Sequence, residues 1–249
     1  SGAAGEAHVA PKQAARRLSE GRPLLQWEDL ALDWEQLRAS SSEVLASVAE
    51  HFPALAAAAR DAQVVLLDSA MLQRVVRSCY DGRSVPRAAT VGRDSKARGE
   101  VLRLAVKVAL RPFLCAQREK LLPLVPTGRW RRGTCPVCGG LPDLSYLDRE
   151  WGARWLVCGR CDAQWVFQRL QCPYCQCTDQ ESLSYLTDST GLYRVYCCDA
   201  CHSYLKALDL RAWQTEVKPV GQRAETLDLD RQARQRGFRS PDSLATLAA

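Results

Sequence analysis

Cys135-Pro136-Val137-Cys138, Cys158-Gly159-Arg160-Cys161, Cys172-Pro173-Tyr174-Cys175 and Cys198-Asp199-Ala200-Cys201 follow one another within residues 135–201. Two thiolates separated by two residues of tight turn grip a metal ion from one side, so a tetrahedral site needs two such pairs. Four pairs therefore imply two ions. Joining neighbours in sequence, Cys135/Cys138 with Cys158/Cys161 and Cys172/Cys175 with Cys198/Cys201, leaves 19 and 22 residues between the pairs, the spacing of a hairpin ribbon. Crossed pairing stays open, because loop closure costs only about 0.6 kcal/mol per doubling of length. The ribbon precedent favours sequential pairing. Gly139 and Gly140, directly after Cys138, suit the turn beyond a metal knuckle, where φ is often positive and backbone N–H groups aim at sulfur.

Twelve cysteines are an even number and invite a disulfide reading. A chain of 249 residues buries a core without staples, and a disulfide scaffold spreads its cysteines instead of gathering eight of them into four close pairs. Ser1-Gly2-Ala3-Ala4-Gly5-Glu6 shows no basic region followed by an apolar one, so no export signal is expected and a reducing cytoplasm is implied. Four thiolates in a tetrahedron suit zinc and single iron alike; spacing does not name the metal.

Outward from the cysteines the texture changes. No run of 18 apolar residues exists to span a membrane. Upstream of Leu124-Val125-Pro126-Thr127-Gly128 the chain is rich in Ala, Leu, Arg and Glu and reads as a helical bundle. Ser40 with Glu43 has the form of a capping box. Pro53 ends the helix that this box opens, and a short helix follows through Leu55 to Arg60. Gln63 to Tyr80 and Lys96 to about Leu122 are further helices, the last apolar on more than one face through Val101, Leu104, Ala105, Val108 and Ala109 and so expected to be buried. Downstream, Leu144 to Leu147, Trp155 to Val157, Trp165 to Arg169, Leu183 to Leu186 and Tyr193 to Tyr196 read as short strands. Ribbons this small need their metal to stay folded. After Lys206 the pattern turns helical, best from Ala224 to Arg236, with Pro241 as breaker. The expected class is α+β: a helical domain (1–126), a first metal ribbon (127–168), a second (169–210) and a C-terminal helical segment (211–249).

Arg129-Trp130-Arg131-Arg132-Gly133-Thr134 before the first pair, Trp165 after the second, Arg169-Leu170-Gln171 before the third, and Tyr204-Leu205-Lys206 after the last carry a resemblance to the formate dehydrogenase accessory protein family, FdhE. The stretch Ala224 to Phe238 is also similar to that family's C-terminal region, and together the match covers about half the chain. The resemblance implies a cytoplasmic maturation factor that contacts the catalytic subunit of molybdenum-containing respiratory formate dehydrogenase without being part of the finished enzyme. It also implies rubredoxin-like ribbons carrying iron, with Cys135, Cys138, Cys158, Cys161, Cys172, Cys175, Cys198 and Cys201 as ligands. Cys177 and Cys197 depart from the pattern. Cys197 competes with Cys198 as a ligand, though only Cys198 has the two-residue spacing to Cys201.

Net charge of +6 raises a nucleic-acid reading, as many zinc ribbons bind DNA or RNA. Residues 127–205, however, carry 8 basic and 8 acidic groups. Eight thiolates with two divalent ions bring the ribbons to about −4, whereas a nucleic-acid reader concentrates positive charge at its site. Arg129, Arg131 and Arg132 around Trp130 are the local exception, as a stacking platform or as a solvated junction. A thiol–disulfide enzyme would need one exposed pair beside a βαβ unit, not four pairs in hairpins; a single-iron centre permits one-electron transfer. Cys79 and Cys115 read as buried packing residues, and Cys177 and Cys197 as the better candidates for a reactive thiol. His8, His51 and His202 form no catalytic set; His51 suits a helix end, and His202 is a spare ligand beside an intact cysteine quartet. No catalytic residues are assigned. Trp130, Trp151, Trp155 and Tyr193 are candidate anchors for a partner.

Overall fold

Asp33 and Asp68, two acids ahead of apolar runs, set where two of the helices start. The computed structural model describes residues 9–91, 94–126, 128–215 and 217–240; Ser1 to Glu6, His8 and Pro241 lie outside the described residues. Contacts cluster the chain into two units, residues 26–117 and residues 9–25 with 118–240. The division differs from the one expected at residue 126, because the N-terminal segment belongs with the cysteine-rich half.

The first unit is helical. Asp33 Oδ1 accepts from the N–H groups of Glu35 and Gln36 and starts α2 (Trp34–His51), so Ser40 and Glu43 sit inside the helix and cap nothing. The helix stops at Phe52 before Pro53, as expected, and His51 Nδ1 lies 3.0 Å from the Ser47 carbonyl. Asp68 breaks the expected single helix 63–80 into α3 (Ala56–Leu67) and α4 (Ser69–Tyr80) by accepting from Ala70 and Met71 N–H. Leu37, Leu45, Leu66, Leu72, Val75, Val76, Leu102 and Val106 fill the core. The long helix α5 (Ser95–Leu121) contains Pro112 and buries Val101, Ala105 and Ala109. Leu104 and Val108 stay exposed, so the apolar surface of α5 is covered on one side and open on the other, against the expectation of burial all round.

The second unit holds α1 (Pro11–Ser19) and a six-stranded sheet. Its strands are β1 (Pro142–Leu147), β2 (Arg154–Cys158), β3 (Gln164–Phe167), β4 (Leu183–Thr187), β5 (Tyr193–Cys198) and β6 (Ser203–Asp209), in the order β3-β2-β1-β6-β5-β4. Each ribbon is an antiparallel triplet. The two triplets merge through parallel pairing of β1 with β6, from Leu144 opposite Lys206 to Leu147 opposite Asp209, so they form one sheet instead of two separate domains. β6 itself corrects the expectation that the chain turns helical after Lys206: all seven of its residues are buried. Two 3-10 turns, Leu210–Ala212 and Pro219–Arg223, lead to α6 (Leu227–Gln235), shorter than the expected 224–236. α6 seats Leu229 and Ala233 on Val195, Cys197 and Tyr204 of the sheet. The class is α+β, as the sequence implies. Among the described residues no helix is long and apolar enough to cross a membrane.

Candidate metal centres

Each Cys-x-x-Cys pair is followed at once by a residue of positive φ: Gly139 (70°), Asp162 (59°), Gln176 (64°) and His202 (52°). That left-handed residue turns the chain back, so that the knuckle's backbone N–H groups face the first sulfur. Val137 and Cys138 N–H approach Cys135 Sγ at 3.4 and 3.5 Å, and Arg160 N–H approaches Cys158 Sγ at 3.4 Å. Carbonyl bonds close the same turns: Gly139 N–H to Cys135, Asp162 N–H to Cys158 and Gln176 N–H to Cys172. Only Gly139 announces this conformation in the sequence. His202 is exposed and serves the turn through its backbone, its carbonyl accepting from Arg239 N–H.

The turns gather the sulfurs into two quartets, Cys135/Cys138/Cys158/Cys161 and Cys172/Cys175/Cys198/Cys201, each with its Sγ atoms within 4.8 Å of one another. Pairing is sequential. Cys135–Cys161 and Cys138–Cys158 are 3.6 and 3.5 Å apart, and Cys172–Cys201 and Cys175–Cys198 are 3.7 and 3.6 Å apart. A disulfide holds its sulfurs at about 2.05 Å. A tetrahedron of thiolates about 2.3 Å from a central ion places them about 3.8 Å apart. The quartets have the second spacing, and two groups of this kind can hold two ions. Burial pushes the Cys135 thiol well up, while hydrogen bonds from Cys135, Cys158 and Cys161 hold Cys138 well down. Burial likewise raises Cys172 to about 11.

Cys177 and Cys197 stand outside both quartets. On β5 successive side chains alternate between faces, so Cys198 points to the sulfurs while Cys197 enters the core with Val195 and Tyr204. Buried there and outside both quartets, Cys197 is a packing residue and no rival ligand, and burial pushes its thiol up to about 11. Cys79 is buried in α4, as expected, and Cys115 is half-buried in α5. Trp130 is also buried, its Nε1 donating to the Thr134 carbonyl at 2.7 Å, and it offers no face for stacking. Trp155 stacks on Tyr146 and donates to Asp148; Tyr193 packs edge-on against Trp213. Trp151 alone of the four candidate anchors is open, 84% exposed.

Two arginines that sequence reading passed over tie the centres to the sheet. Arg223 donates to Asp143, to Asp162 and to the Cys158 carbonyl. Arg154, only 3% exposed, lies over the Tyr196 ring and donates to the Arg169 and Gln171 carbonyls just ahead of Cys172, linking β2 of the first ribbon to the first knuckle of the second.

Comparison with known proteins returns one family at every level. A family model described as the FdhE central domain matches residues 134–169. The FdhE homolog of Aquifex aeolicus is 32% identical over 143 residues, 56% of this chain and 50% of the relative. The homolog of Haemophilus ducreyi is 36% identical over 111 residues, 43% and 35% of the two chains. The FdhE protein of Escherichia coli O1:K1 is 28% identical over 127 residues, 49% and 41%. The matches thus span half or less of the length of these relatives. The crystal structure of the FdhE protein from Pseudomonas aeruginosa shares the fold, with a TM-score of 0.58 at 20% identity over 96% of this chain and 80% of that one. Family model and relatives point to the FdhE family, and the solved structure shows a shared fold.

Proposed function

We propose that this chain, whose sequence and fold are those of the FdhE family, is an accessory factor that carries two four-cysteine metal ions. On this reading it binds the catalytic subunit of molybdenum-containing respiratory formate dehydrogenase in the cytoplasm during biogenesis. The observation that carries the reading is the pair of sulfur quartets on one continuous sheet. Cys135, Cys138, Cys158 and Cys161 would hold one ion and Cys172, Cys175, Cys198 and Cys201 the other. Bound iron, which the family resemblance favours, would supply one-electron chemistry; bound zinc would supply structure only.

The chain's own part is to present a rigid surface. The knuckles lock the ends of β2 and β5, the β1–β6 junction fixes one ribbon against the other, and Trp151 stands exposed on the turn after β1 as a candidate anchor. No catalysis is assigned to it. A nucleic-acid module is the weaker rival, since residues 127–205 balance 8 basic against 8 acidic groups and Trp130 is buried.

The test is calorimetric titration of the purified full chain with a purified formate dehydrogenase catalytic subunit, beside the Trp151→Ala variant. Saturable binding, weakened in the variant, supports the reading; no binding with both ions in place overturns it.

A further inference from the structure

The two quartets differ in one physical respect: access. Cys135, Cys138, Cys158 and Cys161 are all buried, from 0 to 3% exposed. In the second quartet Cys172 and Cys198 are buried, but Cys175 is exposed and Cys201 half-exposed.

The difference is built by the chain. Leu24 and Leu25 N–H donate to the Pro136 and Val137 carbonyls, each at 2.8 Å, laying the N-terminal segment across the first knuckle, and Pro23 packs against Gly139. On the opposite knuckle Arg223 holds the Cys158 carbonyl at 2.9 Å and Asp162 at 2.8 Å. The second quartet has its cover elsewhere. Arg239 N–H bonds the His202 carbonyl and Pro173 meets Gly133, contacts that secure the knuckle backbones and leave the Cys175 side open.

We infer that the second quartet is an exchange centre, which gives up its ion to an external chelator at Cys175, while the first quartet is a permanent structural centre. The inference rests on the metal reading proposed above. Cys175, the ligand open to solvent, would be the first displaced by the incoming donor atom, with Cys172, Cys198 and Cys201 following as the ion leaves; each freed thiolate would take a proton from water, and no electron moves. Buried sulfur is inert to such reagents and exposed sulfur is not. The access route fixes the order, second quartet before first.

The experiment mixes zinc-loaded full chain with excess 4-(2-pyridylazo)resorcinol and follows the coloured complex. The expected trace has two phases of one ion each, the faster by roughly 10-fold or more, given how strongly access controls thiolate reactivity. Cys175→Ser removes the fast phase and keeps the slow one. A single phase releasing both ions together, or loss of the fast phase in Cys138→Ser, overturns the inference. Iodoacetamide labelling read by mass spectrometry gives a second arm that needs no variant. Cys175 and Cys201 should be modified while Cys135, Cys138, Cys158 and Cys161 stay protected, and equal labelling of the two quartets contradicts the proposal. Fewer than two ions in the starting protein would count against the metal reading instead, and the labelling order still decides this inference.

Discussion

Arg223 grips Asp143 with both arms of its guanidinium, Nε to Oδ2 at 2.7 Å and a terminal nitrogen to Oδ1 at 2.8 Å, across 80 residues of sequence. The pair fixes the turn Pro219–Arg223 to β1, and the remaining nitrogen reaches Asp162 beside Cys161. Both carboxylates raise the arginine's already high basicity, more than offsetting its burial. Arg223→Ala removes the guanidinium shared by two carboxylates, and with Arg223 and Asp143 only partly buried the expected cost is about 2 kcal/mol. Arg223→Lys should recover little, because an ammonium lacks the fork that meets both oxygens. Thermal melting of the three proteins checks the ranking.

Asp209, at the end of β6, is buried between Arg194 and Arg211 at 2.5 and 2.7 Å. The hydrogen bond from Arg211, aided by the charge of Arg194, holds its carboxyl below the usual range against the effect of burial. A depressed acid stabilises the fold above its unfolded value of about 3.9 and loses that contribution as pH falls through its folded value. Asp209→Asn should therefore be less stable than the parent at pH 7, by about 1–3 kcal/mol. The gap should narrow as pH falls below about 4. Denaturant melts from pH 7 to pH 3 measure it, and a gap that is constant across the range contradicts this account.

Gly133 has no room for a side chain: a Cβ there would run into the carbonyl of Pro173, joining the approach to the first knuckle with the second quartet. Because the obstacle is backbone, Gly133→Ala should cost about 1–3 kcal/mol through displacement of the Cys172-Pro173 turn. A melting curve unchanged by the substitution would show that the two knuckles are not in contact.

Replacing Cys172 and Cys175 with serine should remove one ion and the proposed interaction with a formate dehydrogenase subunit together. Since β1 and β6 make one sheet, the same variant should lower the melting temperature of the whole second unit in a single transition. Partner binding retained with the ion gone refutes a shared cause, and two separate melting transitions refute the joined sheet.

The quartets were legible because their signal is local: two cysteines at a fixed spacing on a tight turn need no knowledge of the rest of the chain. Five of six strands were legible for the same reason, as short aromatic or β-branched runs between turns. β6 was not, because Lys206 and Asp209 interrupt its apolar residues and the chain after Lys206 reads as helical. They are buried in a central strand only because Asp230 meets Lys206 at 2.7 Å and Arg194 and Arg211 meet Asp209. Asp68 misled in the opposite direction. It sits in a run that reads as one helix, yet its carboxylate caps α4 and divides the run. The parallel β1–β6 junction and the Arg223 clamp join residues 60 to 80 apart, and no periodicity of 2 or 3.6 reports on such distances.

Metal content tests the central claim most directly. Elemental analysis with an absorption spectrum should be made on full chain purified without oxygen. The account predicts two ions per chain held by eight thiolates: iron with thiolate-to-metal charge-transfer bands, or colourless zinc. Protein that is fully folded with no bound metal, its eight cysteines free or paired as disulfides, would contradict it.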